Sequence, residues 1–351
     1  MHTHLSQPLA LSPRYRARVW GGHAFTSHFG RQLPAGLLAG KDPVGESWEL
    51  CDFPVGNPDD ESARTAVFGG LHDGRTLQEL RHAYGKELMG DLRGNPATNG
   101  FPLLLKYLDA SAALSVQVHP SPAYAAAHPQ AHLKSEAWFI VDCKPGAVIH
   151  KGLKPGVGAA DLRKALALNR DDAVVPLMQT VPVAPGDCHH LPSGTCHALG
   201  AGILVAEIQT PSDTTFRVYD WGRVGRQLHV EQALACIDFS GQPLPPATRA
   251  ATGPGRTTMV DCEFFRTFHV RLAAGEALAA PDDRRPVAWM VIAGEMTASN
   301  GHRFHAGDTL LWPAAAKKRS AKAGSGGAAV LETVFPRHAG LQKNLAAGVH
   351  P

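Results

Sequence analysis

The stretch Gly186-Asp-Cys-His-His-Leu-Pro-Ser-Gly-Thr-Cys-His197 reads as a turn glycine, a short strand, a turn at Pro192–Gly194 and a histidine set immediately after that turn. Working outward, Leu114-Ser-Val-Gln-Val-His-Pro120 offers a second set of metal-capable side chains. Val116 and Val118 alternate there with Ser115, Gln117 and His119. Period-2 alternation sends one set into a core and the other onto the opposite face. Gln117 and His119 therefore point the same way, one pleat apart. Glu136 follows after a loop, just before the apolar run Trp138 to Val141. With His197 these make one amide oxygen, one carboxylate and two imidazoles, a mixed O/N set suited to a divalent metal such as zinc.

The chain has 351 residues, enough for two or three packed units. Hydrophobic residues at 44% and charged residues at 19% describe a globular chain and exclude a disordered one. A formal net charge of +3 is too small to imply a nucleic-acid or membrane partner. Six cysteines without a C-x-x-C pair argue against both a disulfide scaffold and a thiolate zinc site, so a reduced, cytoplasmic setting is expected. Residues 1–13 lack an apolar core of signal-peptide length, and no run approaches the ~20 apolar residues of a membrane span. The short runs Lys317-Lys318-Arg319 and Asp171-Asp172 read as solvated turns.

Strand signals outnumber helix signals. Thr76 and Glu79 have capping-box spacing, and Leu77, Leu80, Tyr84, Leu88 and Leu92 keep one apolar face. Gly85 and Gly90 argue against one unbroken helix there. A second short helix is expected near 159–170, with Asp161 in its first turn. The Pro/Gly-rich stretch around 246–258 reads as a linker. Beyond it, short alternating segments suggest a smaller all-β unit over 259–336, ahead of a loosely attached tail at 337–351. Gly307-Asp308 followed by Leu311-Trp312-Pro313 echoes Gly186-Asp187 followed by Leu191-Pro192, without a counterpart of His197. The expected architecture is mainly β: an N-terminal catalytic barrel over 1–245 with helical insertions near 74–94 and 159–170, and a second, structural barrel without metal.

The spacing Gly186, Pro192, Gly194, His197 resembles the second half of the cupin (jelly-roll) barrel signature. Further stretches resemble type I mannose-6-phosphate isomerases of the shorter bacterial form. These are Val19-Trp-Gly-Gly22, Gly45-Glu-Ser-Trp-Glu49, Pro102–Ala110, Leu114–Pro120, Lys134-Ser-Glu-Ala-Trp138, Pro192–Gly200 and Glu207–Arg223. The resemblance implies an aldose–ketose isomerase that interconverts mannose 6-phosphate and fructose 6-phosphate through an enediol(ate), with one Zn2+ per chain, other divalent metals being compatible. It implies the same four ligands, Gln117, His119, Glu136 and His197. It also implies Arg217, Lys134 and Glu207 as catalytic pocket residues. Such a proton transfer needs a base near carbon and positive charge near the developing oxyanion, and an arginine supplies that charge without losing its own proton. Lys106 reads either as a solvated lysine at a strand edge or as a point charge for the sugar phosphate.

Two positions depart from longer relatives. Leu133 stands where they carry a histidine before the pocket lysine, with His132 one residue further off, and Leu199 stands where some carry a tyrosine. No ring-opening role is assigned to His132. His128, His132, His189 and His190 read as surface or local hydrogen-bonding residues, and Cys188 and Cys196 as packing residues. Two other classes fit a cupin: a metal-dependent oxygenase, which wants a redox-active metal, and a non-catalytic sugar-phosphate-binding protein. Strands with exposed edges are compatible with a monomer or a homodimer.

Overall fold

The computed structural model describes residues 4–38, 40, 42–52, 64–92, 94, 100–168 and 173–335. Asp171, Asp172 and the tail at 337–351 lie outside them. Strand dominates over helix, as the alternation predicts, in three antiparallel sheets. The first runs Thr248–Arg249, Asp187–Leu191, Glu136–Cys143, Ile203–Gln209, Leu104–Ala110, Val44–Leu50 and Arg14–Gly22. The second runs Phe216–Tyr219, Val116–Val118, His197–Leu199, Val148–Leu153 and Met178–Pro182. Trp138, Ile140, Leu191 and Val205 of the first sheet pack with Ile149 and Leu199 of the second in one apolar cluster. The two sheets thus enclose the interior of a first barrel.

The first sheet is buried on its other face as well. Tyr107, Ala137, Phe139 and Ile208 pack with Leu77, Leu80 and Leu88 of the helix Leu77–Met89 and with Met290 and Leu331 of the C-terminal half. That is why every residue of Leu104–Ala110 is buried, the charged Lys106 and Asp109 included. The helix starts on the expected capping box: the Glu79 N–H donates to Thr76 Oγ1 at 3.2 Å, and the Thr76 N–H donates to Glu79 Oε2 at 2.7 Å. Its interruption falls at Tyr84, whose φ of −135° is non-helical, one residue before Gly85. The second helix forms at Ala159–Ala167, with Asp161 accepting from the Gly158 N–H.

The third sheet builds the C-terminal half around the long strands Val287–Ala298 and Ser320–Val334. It corrects the expected partition of the chain in two places. Leu9–Ser12 leaves the N-terminal half and pairs with Thr309–Trp312, so the chain's first strand belongs to the second unit. The stretch expected as a linker contributes Thr248–Arg249 to the edge of the first sheet and, from Gly255, the outermost strand of the third. Backbone groups in these segments find ladder partners, which turn-rich composition by itself does not exclude.

Arg319 also departs from its reading as a solvated residue. It is 5% exposed. Its Nε donates to the Ala316 carbonyl, Nη1 to those of Pro281 and Arg285, and Nη2 to those of Pro313 and Ala314. All five guanidinium donors are used, so the side chain ties converging turns together from inside.

Candidate active site and metal centre

The turn at Pro192–Gly194 sets His197 in place. Gly194 takes φ +86°, and a Cβ there would meet the Cys236 carbonyl at 3.1 Å. Gly200, just past the histidine strand, lies so close to Val148 that a Cβ would sit 2.0 Å from its carbonyl oxygen. Between these glycines the strand His197–Leu199 carries the histidine into the barrel.

Two transverse rows of side chains line the interior. On the second sheet Arg217 is paired with Gln117, Gln117 with His197, and His197 with Lys151. On the first sheet Trp48, Lys106, Glu207, Trp138 and His189 are paired in turn across five strands. Residues directly opposite one another in antiparallel strands share a face, so each row projects as a unit. Glu136 lies one pleat from Trp138, opposite Leu191 and Gln209.

His119, Glu136 and His197 offer ligand atoms that all lie within 4.8 Å of one another, and all three are buried. His119 Nε2 is 3.3 Å from Glu136 Oε2, and His197 Nε2 is 3.2 Å from Glu136 Oε1. Each imidazole holds a backbone carbonyl through its other nitrogen: His119 Nδ1 with Thr214 at 3.0 Å, His197 Nδ1 with Thr195 at 2.8 Å. These bonds present the Nε2 lone pairs to the carboxylate, the arrangement a metal-ligating histidine uses. Burial, with the Lys134 charge, drives the His119 imidazole down to about 3, so it is neutral and able to ligate. His119 Nε2 and both Glu136 oxygens are buried and form no aligned hydrogen bond, although the two imidazoles and Lys134 stand 2.7 to 3.3 Å from the carboxylate. An orphaned set of this kind fits a divalent cation. The Gln117 side chain reaches the edge of this cluster, its amide nitrogen 3.3 Å from His197 Nε2 and its oxygen accepting from Ser115 Oγ at 3.3 Å. His119, Glu136 and His197 thus converge, with Gln117 beside them.

Lys134 Nζ stands 2.7 Å from Glu136 Oε2 and 3.9 Å from Glu207 Oε1. Burial opposes its charge, but the two carboxylates outweigh burial and hold its pKa above the ordinary lysine value. Burial pushes Glu207 the other way, above the ordinary carboxylate range, with Lys134 and Lys106 opposing. Arg217 has two options for its charge. Its Nη1 donates to the Gln227 carbonyl at 2.7 Å, while its Nε is 4.0 Å from Asp220, a carboxylate already held by Arg223 and Arg226 at 3.1 and 2.9 Å. Asp220 is therefore satisfied without Arg217, whose guanidinium borders a cavity of about 450 Å3 together with Gln117, Lys134 and Glu207. That volume matches a small-molecule site.

Lys106 lines the cavity, 3.5 Å from Glu207 Oε2 and 4.7 Å from the centre of the Trp48 ring. His189 is not a surface residue: it is 2% exposed at the end of the first-sheet row. Cys188 and Cys196 face outward into apolar clusters as packing residues, and burial pushes both thiols up to about 12. Glu46 and Arg18 also line the cavity, at 3.0 Å from each other. Alternation in Gly45-Glu-Ser-Trp-Glu49 carried the signal for Glu46: Glu46 and Trp48 face the cavity, while Ser47 and Glu49 face the C-terminal half. Arg226, on an irregular loop, had no such signal.

A jelly-roll barrel with a buried His/Glu/His cluster, opening on a cavity of charged side chains, defines a cupin-fold enzyme. The profile for "Phosphomannose isomerase type I, catalytic domain" matches residues 9–143. The mannose-6-phosphate isomerase of Streptococcus mutans is 32% identical over 317 residues, covering 88% of this chain and 93% of that one. A mannose-6-phosphate isomerase of Bacillus subtilis is 32% identical over 320 residues, with the same coverage of 88% and 93%. The crystal structure of the mannose 6-phosphate isomerase from Bacillus subtilis superposes with a TM-score of 0.75 at 26% identity, covering 94% of this chain and 100% of that chain. The chain belongs to the type I phosphomannose isomerase family and is an isomerase. Among the described residues, no helix is long and apolar enough to cross a membrane.

Proposed function

We propose that this chain interconverts D-mannose 6-phosphate and D-fructose 6-phosphate, with a divalent metal, zinc by preference, held by Gln117, His119, Glu136 and His197. The observation that carries this reading is the buried His119/Glu136/His197 cluster, with Lys134 2.7 Å from Glu136 and with Gln117, Lys134, Glu207 and Arg217 lining the adjoining cavity. When bound, the metal supplies a fixed positive charge that polarises and orients the sugar oxygens.

The reaction moves a proton between C2 and C1 of the open-chain sugar through an enediol(ate). Lys134 and Glu207 lie 3.9 Å apart in a shared buried environment, each lining the cavity that would hold the sugar. Glu207, shifted toward its protonated form, is suited to accept and return a proton. Arg217 stays charged throughout and stabilises the developing oxyanion. The near-complete burial of Lys134 and Glu207 strengthens these interactions relative to water.

The test is conversion of mannose 6-phosphate by purified protein, before and after chelation and after zinc is returned. Activity should disappear with chelator and recover with zinc. Absence of conversion by metal-loaded protein would remove this substrate assignment, and oxygen consumption with a redox metal would favour an oxygenase instead.

A further inference from the structure

The two halves of the molecule repeat one cross-strand pair. In the first barrel Trp138 is directly opposite Glu207, and its indole Nε1 donates to Glu207 Oε1 at 3.0 Å. In the C-terminal half Trp289 is directly opposite Glu332, and its Nε1 donates to Glu332 Oε2 at 2.9 Å. The sequences around both tryptophans run in step: Glu136-Ala-Trp138 against Val287-Ala-Trp289. Each carboxylate also meets a cation that lies against an aromatic ring. For Glu207 it is Lys106 over Trp48, and for Glu332 it is Arg256 over Phe268.

What differs is the neighbourhood. Where the first barrel has the carboxylate of Glu136, the second has Val287, and Glu332 is fully buried beside Trp289. In the first barrel the indole-bound carboxylate opens instead on the cavity, with Lys134 3.9 Å from the same oxygen that Trp138 holds. The C-terminal copy therefore shows what the pair does as scaffold, and the N-terminal copy shows it joined to a reactive site.

We propose that Trp138 is a positioning residue for the isomerisation, its indole N–H fixing the Glu207 carboxylate for proton transfer. This rests on the role given to Glu207 above. A donor aimed at one carboxylate oxygen selects one rotation of that group and leaves the other oxygen, Oε2, toward Lys106 at 3.5 Å. Lys106 and Lys134 are flexible point charges that do not define that rotation, whereas an indole in a packed barrel does. The indole also stands edge-on to His197, ring centres 5.3 Å apart, so metal content has to be measured beside turnover.

The experiment compares Trp138→Phe, Trp289→Phe and Glu207→Gln in the metal-loaded full chain, reading kcat, KM, bound metal and melting temperature. Loss of one hydrogen bond to a charged group predicts that Trp138→Phe lowers kcat by roughly 10- to 100-fold with KM within about twofold and metal retained. Trp289→Phe, which removes the same bond from the other copy, lowers the melting temperature and leaves kcat unchanged. If Trp138→Phe fails to fold or loses metal, the benzothienyl isostere of Trp138, which replaces N–H by sulfur at constant shape, is read by the same criteria. Unchanged kcat in that isostere, with Glu207→Gln inactive, overturns the positioning role alone. Full turnover by Glu207→Gln overturns it together with the reading of Glu207 on which it rests.

Discussion

Arg31→Met tests what joins the two halves. The Arg31 guanidinium donates through Nη1 to Glu49 Oε1 at 2.9 Å and to Ser47 Oγ at 2.6 Å, and through Nη2 to Glu49 Oε2 at 3.0 Å and to the Gly307 carbonyl of the C-terminal half. Four aromatic rings, Tyr15, Phe25, Phe29 and Tyr107, have their centres 5.4 to 5.9 Å from it. Methionine keeps much of that packing and deletes the charge. Glu49, whose side chain is 0% exposed, then keeps only the hydroxyls of Ser47 and Thr309. Leaving one partner of a buried ion pair uncompensated costs about 3–5 kcal/mol. Neutralising the stranded carboxylate should recover part of that loss, so the double variant Arg31→Met/Glu49→Gln should be more stable than Arg31→Met by about 1–2 kcal/mol. The assay is urea denaturation followed by tryptophan fluorescence on the four proteins of the cycle. A cost below about 1 kcal/mol for Arg31→Met, or a further loss on adding Glu49→Gln, would refute the argument that Arg31 compensates a buried Glu49 where the two halves meet.

Two further expectations concern the cavity. Burial opposes ionisation of Glu46, but Lys106 and Arg18 outweigh it and hold the carboxyl down to about 2, against 4.5 when exposed. The folded-state value is depressed, so this group's stabilisation is present above pH 4.5 and is lost as pH falls from 4.5 toward 2. Its size is roughly 3 kcal/mol, and Glu46→Gln should flatten the acid limb of a stability–pH curve by that order; an unchanged limb would show that other groups carry it. Arg217→Ala should abolish turnover with bound metal unchanged, because Arg217 borders the cavity without contributing a ligand atom. Retained turnover would remove it from the reaction.

What the sequence by itself determined is local. Strand alternation set Gln117 and His119 on one face, the Pro192–Gly194 turn announced His197, and the Thr76/Glu79 spacing announced a capped helix. Each depends on residues a few positions apart, whose geometry is a property of the pleat, the turn or the first helical turn. Tertiary structure decided everything that depends on which strands become neighbours. Leu9–Ser12 joined the far sheet through its ladder with Thr309–Trp312. Arg319 was withdrawn from a basic run by five carbonyls brought together from separate turns. Lys106 met Glu207, and Glu207 met Trp138, only because strands 69 and 101 residues apart in Glu207's frame are laid side by side in register. Strand order is set by long-range burial of whole faces, so no window of neighbouring residues contains it.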